Sequence, residues 1–121
     1  MNILLIEDNP EEVAAIRKTL TLAEIGSFTL VWADRLATGI TRLGATSPDL
    51  VLLDLSLPDS RGLDTFTRLH AHARQVPVVV LAEVQDAPLG LEAARLGAQD
   101  YLLKQQVHQD PVLLGHVIRH T

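Results

Sequence analysis

Three carboxylates and one ammonium group carry the chemistry of this sequence. Glu7 and Asp8 end the apolar run Asn2 to Ile6 (NILLI), Asp54 ends the run Leu50 to Leu53, and Lys104 follows Tyr101 to Leu103. Each charge stands where a short apolar run stops. Carboxylates gathered in one place repel, so a cluster of them is costly unless a cation binds it or one member keeps a proton. Ligation by oxygen alone, with positions left for water, suits Mg²⁺ or Mn²⁺. A lysine beside such a cluster supplies the fixed positive charge that a bound phosphoryl group needs. A single acid at a strand end is ordinarily a turn residue or a helix cap. Three acids and a lysine at the ends of three strands ask for another explanation.

The elements that must position these groups alternate five times between strand and helix. The segment DLVLLDLSLPDSRG, residues 49–62, contains an unbroken apolar run, then an acid, then the loop residues Pro58, Asp59 and Gly62. Continuous hydrophobicity without alternation suits a strand covered on both faces. Asn2–Ile6, Phe28–Trp32, Val78–Leu81 and Tyr101–Leu103 read as the other strands. Helical spacing joins Val13, Ile16 and Leu20; Leu36, Ile40 and Leu43; Leu63, Phe66 and Leu69, in a helix running to Arg74; and Leu113, Leu114, Val117 and Ile118. Asn9 with Pro10 and Glu12 resembles a capping box. Asp34, Asp86 and Asp110 read as further helix caps, and Gly97 as a helix stop in the left-handed conformation. This alternation predicts an α/β fold: a doubly wound (βα)5 sandwich with a five-stranded parallel sheet of order 2-1-3-4-5. In that order strands one and three are central neighbours. Glu7, Asp8 and Asp54 then share one crevice at the carboxyl edge, and Lys104 faces the same edge.

The totals narrow the classes. With 121 residues, 47% of them apolar, the chain is expected to form one domain over residues 1–121 with a packed core. Its net charge of −5, without a basic run or a series of stacking aromatics, argues against nucleic acid as a direct partner. The absence of cysteine excludes disulfides, thiol catalysis and cysteine-based zinc sites. No apolar run approaches the roughly 20 residues of a membrane span, and Met1-Asn2-Ile3 leads straight into a strand, so a cytoplasmic domain is expected. His116 and His120, four apart, read as a solvated helix face, and Trp32 as a core residue.

With these residues in place, the chain resembles the receiver domain of bacterial two-component response regulators over essentially its whole length. ILLIEDNP resembles the family's first strand and acidic pair, Glu7 and Asp8. VLLDLSLPDSRGL resembles the phosphoacceptor segment, with Asp54 as the acceptor. GAQDYLLK resembles the fifth strand, with Lys104 as its lysine and Tyr101 at the switch-aromatic position. The resemblance implies a flavodoxin-like fold and a phosphoryl group taken by Asp54 from a histidine kinase or phosphotransfer partner. It implies Mg²⁺, with Mn²⁺ as a substitute, held by Asp8, Asp54 and the carbonyl of Ser56, with Glu7 acting through water. It also implies a switch rather than a turnover enzyme, with a homodimer or an output partner engaged through the fourth helix, fifth strand and fifth helix.

One departure matters. Where the family pattern places Thr or Ser and then a small residue, PVVVLAEV gives Ala82 and Glu83. Ala82 has no hydroxyl to bond a phosphoryl oxygen. Loss of one hydrogen bond to a charged group costs about 1.5–3 kcal/mol, a ten- to hundredfold change in a switch equilibrium. Ala82 and Glu83 therefore motivate a second expectation, an atypical receiver acting as a phosphate-independent interaction module. An aspartate-nucleophile phosphatase is disfavoured because Ser56 stands where a second acid is wanted. A flavin carrier is disfavoured because Glu7-Asp8-Asn9-Pro10 replaces a phosphate-cradling loop.

Overall fold

The computed structural model describes all residues, Met1 to Thr121. In chain order the elements are β1 (Asn2–Ile6), α1 (Pro10–Leu22), β2 (Thr29–Ala33), α2 (Leu36–Thr46), β3 (Leu50–Asp54), α3 (Leu63–His72), β4 (Val78–Ala82), α4 (Ala87–Arg95), β5 (Asp100–Leu103), α5 (Lys104–Gln109) and α6 (Pro111–Arg119). All pairings in the five-stranded sheet are parallel, in the order β2-β1-β3-β4-β5. The topology is the doubly wound, flavodoxin-like one expected from the alternation.

The apolar runs are unbroken because each strand feeds two cores. Leu4, Ile6, Val51, Leu53, Val78 and Val80 point to one side, where they pack with Leu36 and Leu43 of α2 and Phe66 and Leu69 of α3. Their alternate neighbours Ile3, Leu5, Leu50, Leu52, Val79 and Leu81 point to the other side, among Val13, Ile16 and Leu20 of α1 and Leu114 and Ile118 of α6. Side chains alternate across a strand, so a sheet covered on both faces needs apolar residues at every position. Every residue of β3 and β4 is buried.

Several local expectations hold and several do not. The Asn9 side chain caps α1 by accepting from Glu11 N–H at 3.0 Å, and Asp110 caps α6 by accepting from Leu113 N–H at 3.2 Å. Glu12 does not complete a capping box; its Oε1 lies 2.8 Å from His108 Nε2 and ties α1 to α5. Asp34 is not a cap either. The residue before α2 is Arg35, which makes no side-chain capping bond, and the amides of Leu36 and Ala37 donate instead to the two Asp59 oxygens at 2.8 and 2.9 Å. Asp86 makes no capping bond, because a 3-10 turn over Val84–Asp86 carries the chain into α4. Helix α3 stops at His72, short of Arg74, and β2 spans Thr29–Ala33 rather than starting at Phe28. Gly97 follows α4 at φ +123°, a conformation that favours glycine. The last helix starts after Asp110 as expected, but a short helix absent from the sequence reading, α5, precedes it and begins at Lys104 itself. The loop after β3 is pinched by a short antiparallel pairing of Ser56–Leu57 with Ser60–Arg61. No helix is long and apolar enough to cross a membrane.

Candidate functional site

Strand order brings the charged residues together. β1 and β3 are adjacent, with Ile6 opposite Leu53, so Glu7 and Asp54 emerge side by side at their carboxyl ends. One carboxylate oxygen from each of Glu7, Asp8 and Asp54 lies within 4.8 Å of the others. Lys104, at the start of α5, reaches across the edge. Its Nζ is 2.9 Å from Glu7 Oε2, 3.3 Å from Asp54 Oδ1 and 3.8 Å from Glu83 Oε1. Asn9 N–H donates to Glu7 Oε1 at 3.2 Å and Ser56 N–H to Asp54 Oδ1 at 3.3 Å. The three acids, Asn9, Ser56, Glu83 and Lys104 line a pocket of about 240 Å³ with no apolar residue in its wall.

Burial makes this cluster electrostatically tense. Glu7 is 1% exposed, Asp54 4% and Lys104 8%, whereas Asp8 is exposed at the rim. Burial, reinforced by the neighbouring Asp54, pushes the Glu7 carboxyl up to about 7. Burial likewise raises Asp54, and the Lys104 charge opposes the rise without cancelling it. For Lys104 burial disfavours the charge, but Asp54 and Glu7 outweigh it and the ammonium is held above its ordinary range. One ammonium faces two buried carboxylates. Glu7 Oε2 meets that ammonium at 2.9 Å but off the hydrogen-bonding axis, so it is a buried oxygen with no hydrogen bond. Oxygen-only donors, an excess of negative charge and an open rim fit a hard divalent cation that keeps several waters. Glu7, Asp8 and Asp54 each offer an oxygen close enough to the others to share such an ion, and Ser56 lines the same pocket.

On the other half of the edge, Ala82 ends β4 fully buried, and Glu83 is about half exposed with its carboxylate turned to Lys104. Tyr101 lies outside the pocket. Its ring packs on the backbone of α4 at Gly90, where a Cβ would come within 2.7 Å of Tyr101 Cδ2. The site thus joins Glu7, Asp8, Asp54, Ser56, Glu83 and Lys104, and leaves Ala82 and Tyr101 as packing residues behind it. Trp32 is not a core residue. It sits on the edge strand β2, 40% exposed, and its Nε1–H donates to the backbone carbonyl of Glu7 at 2.6 Å. The signal for that bond was the indole N–H itself, which needs a partner when it is not wholly solvated. A larger concavity of about 470 Å³ along the outer face of α1 contains no acid.

A doubly wound parallel sheet with acids at the ends of β1 and β3 and a lysine after β5 defines a class of signalling domain. The family model for the response regulator receiver domain matches residues 3–114, and the chain belongs to that family. It is thus a receiver domain of two-component systems, a class of signalling switches. The swarming motility regulation protein RssB of Serratia marcescens is 34% identical over 104 residues, 86% of this chain and 46% of RssB. The chain spans less than half the length of the curated relatives it matches first. Among solved structures, a response regulator receiver domain protein from Clostridium thermocellum superposes with a TM-score of 0.81 at 23% identity, covering 98% of this chain and 91% of that one. The Mn(2+)-bound form of response regulator Rcp1 does so with a TM-score of 0.73 at 22% identity, covering 89% of each chain. Both likenesses concern the fold.

Proposed function

We propose that the chain acts as one receiver unit that accepts a phosphoryl group on Asp54 and converts it into a change at the β4–α4 edge. An Asp54 carboxylate oxygen attacks the phosphorus of a phosphohistidine on a histidine kinase or phosphotransfer protein. The P–O bond forms as the P–N bond breaks, and the imidazole leaves with the electron pair. Asp8, Asp54 and Ser56 would hold Mg²⁺ or Mn²⁺, with Glu7 acting through water. When bound, the metal supplies charge neutralisation for the phosphoryl oxygens. Lys104 supplies the positioned cation from the protein. The observation that carries this reading is the ammonium of Lys104 within 3.3 Å of Asp54, in a pocket whose acids converge from two adjacent strands.

The readout on this reading is electrostatic. Ala82 has no hydroxyl to draw the β4–α4 loop inward, but Glu83 lies 3.8 Å from Lys104. A phosphoryl group on Asp54 competes for that ammonium and repels the Glu83 carboxylate. The loop is then pushed outward, shifting the population of the face formed by α4, β5 and the carboxyl-terminal helices. That face is the candidate surface for a second copy or an output partner. No direct nucleic-acid or membrane contact is part of this reading, and its setting is cytoplasmic.

Intact-protein mass after incubation with Mg²⁺ and a small acyl-phosphate donor tests the chemistry. A single phosphoryl adduct that is lost in Asp54→Ala is the expected result. Transfer from a kinase to Asp54→Ala, or an adduct on another residue, would overturn it. The pairing of Ala82 with a Glu83 carboxylate beside Lys104 also favours a second reading, a phosphate-independent interaction module. Partner binding that is unchanged in Asp54→Ala would select that reading, and lost binding would reject it.

A further inference from the structure

The acid pair at the end of β1 is held by a residue on the edge strand. The ladder between β1 and β2 runs as far as Ile6 opposite Ala33. Beyond it, Glu7 N–H still donates to Ala33 carbonyl at 3.0 Å, but β2 turns away toward α2 and no strand amide reaches the Glu7 carbonyl. The Trp32 indole takes that place at 2.6 Å. Both polar backbone groups of Glu7 are therefore fixed by β2, one through the main chain and one through a side chain.

The bond matters because of the peptide unit it grips. The Glu7 carbonyl belongs to the peptide that joins Glu7 to Asp8. A trans peptide is planar, with its C=O and N–H pointing in opposite directions. Holding the carbonyl toward β2 turns the Asp8 N–H toward β3, the side on which Asp54 stands. That N–H makes no hydrogen bond within the protein. The plane cannot rotate without breaking the indole bond, and its rotation would swing the Asp8 carboxylate, the exposed member of the cluster. The indole also explains its own location: an edge-strand tryptophan left 40% exposed has its N–H directed inward to the site.

We propose that Trp32 is a positioning residue for the acid pocket, its indole N–H fixing the peptide between Glu7 and Asp8 and thereby setting the affinity of the pocket for a hard divalent cation. The inference rests on the reading of that pocket as a cation site. Groups that orient metal ligands from behind typically change affinity ten- to a hundredfold when removed.

The test titrates Mg²⁺ alone into the metal-free wild type, into Trp32→Phe, and into protein in which the indole is replaced by its benzothiophene isostere. The chain has a single tryptophan, so biosynthetic incorporation of the isostere alters one site. The isostere keeps the bicyclic ring and replaces the N–H donor with a sulfur that cannot donate, so it decides the question if the Phe variant folds poorly. The expected result is a Mg²⁺ Kd weakened about tenfold in both, with the melting temperature of the metal-free isostere protein near that of wild type. By reciprocity, Mg²⁺ shifts the fluorescence of Trp32 in the wild type. Mg²⁺ binding by the wild type with an unchanged Kd in the isostere protein overturns the role of Trp32 and leaves the cation site standing. No Mg²⁺ binding by the wild type overturns the cation site, and this inference with it.

Discussion

The two halves of the sheet's carboxyl edge share a backbone and differ in what they present on it. At the β1–β3 half, strands buried on both faces end in Glu7 and Asp54, acids that remain almost wholly buried. At the β4–β5 half, the equally buried β4 ends in Ala82, which has nothing to offer a ligand, followed by Glu83, about half in solvent. Lys104 is the member common to both, ion-paired with one half at 2.9 Å and in longer-range contact with the other at 3.8 Å. A parallel sheet guarantees that strand ends meet; it does not decide whether they react. On the function proposed above, the acid half would bind, and the alanine half would respond through charge rather than through a hydroxyl.

Removing the shared lysine should break the comparison most severely. In Lys104→Ala two buried carboxylates lose their counter-charge, and removing one partner of a buried pair costs about 3–5 kcal/mol. Urea unfolding at neutral pH without metal is expected to show a loss of that size, with added Mg²⁺ restoring part of it. An unchanged midpoint would mean that the acids take up protons at no cost.

The next effect is pH dependence confined to the acid half. Glu7 sits at about 7 in the folded chain, against an ordinary value of 4.5. Between those values the folded state holds a proton that the unfolded state releases, so metal-free stability falls as pH rises from 4.5 to 7. The integrated loss is roughly 3 kcal/mol. Asp54, also raised, adds a contribution of the same sign. Lys104, raised above 10.5, contributes fully below that pH and leaves this window flat. Thermal unfolding at a series of pH values should show the slope in the wild type and a shallower one in Glu7→Gln.

The smallest change sharpens the contrast from the other side. Glu83→Gln removes a half-exposed partner of Lys104, and such ion pairs are worth at most about 1 kcal/mol. Stability should hardly move. The rate of adduct formation from a small acyl-phosphate donor should rise a fewfold, because the incoming anion no longer competes with a tethered one. An unchanged rate would separate Glu83 from the phosphoryl chemistry.

Much of this architecture was legible in the sequence, for one physical reason. A sheet covered on both faces turns each strand into an unbroken apolar run, and the acid or lysine that ends the run is then conspicuous. β3 followed by Asp54 shows this most clearly. The unread contacts are those whose partners lie far apart in the chain. Asp59 caps α2 from 23 residues away and Trp32 reaches Glu7 from 25, and neither distance leaves a periodic trace. Asp34 and Glu12, which fit local capping rules, were displaced by such distant partners. Helix α5 is the element the sequence does not announce, because Lys104–Gln109 is polar apart from Val107, its one buried apolar residue, and offers no helical stripe.

The Asp59 cap has a mechanical consequence. Its carboxylate is held below the usual range because, although burial opposes ionisation, the Ala37 and Leu36 amides favour the charge more strongly. The loop after β3, which carries Ser56, is thereby lashed to the first turn of α2. Any lifting of that loop exposes two helix amides at once. Slow deuterium uptake at Leu36 and Ala37 would therefore act as a strain gauge for the loop, and a phosphorylated chain in which those two amides stay protected while Val84 and Asp86 exchange faster would place its hinge on the untethered side of the sheet.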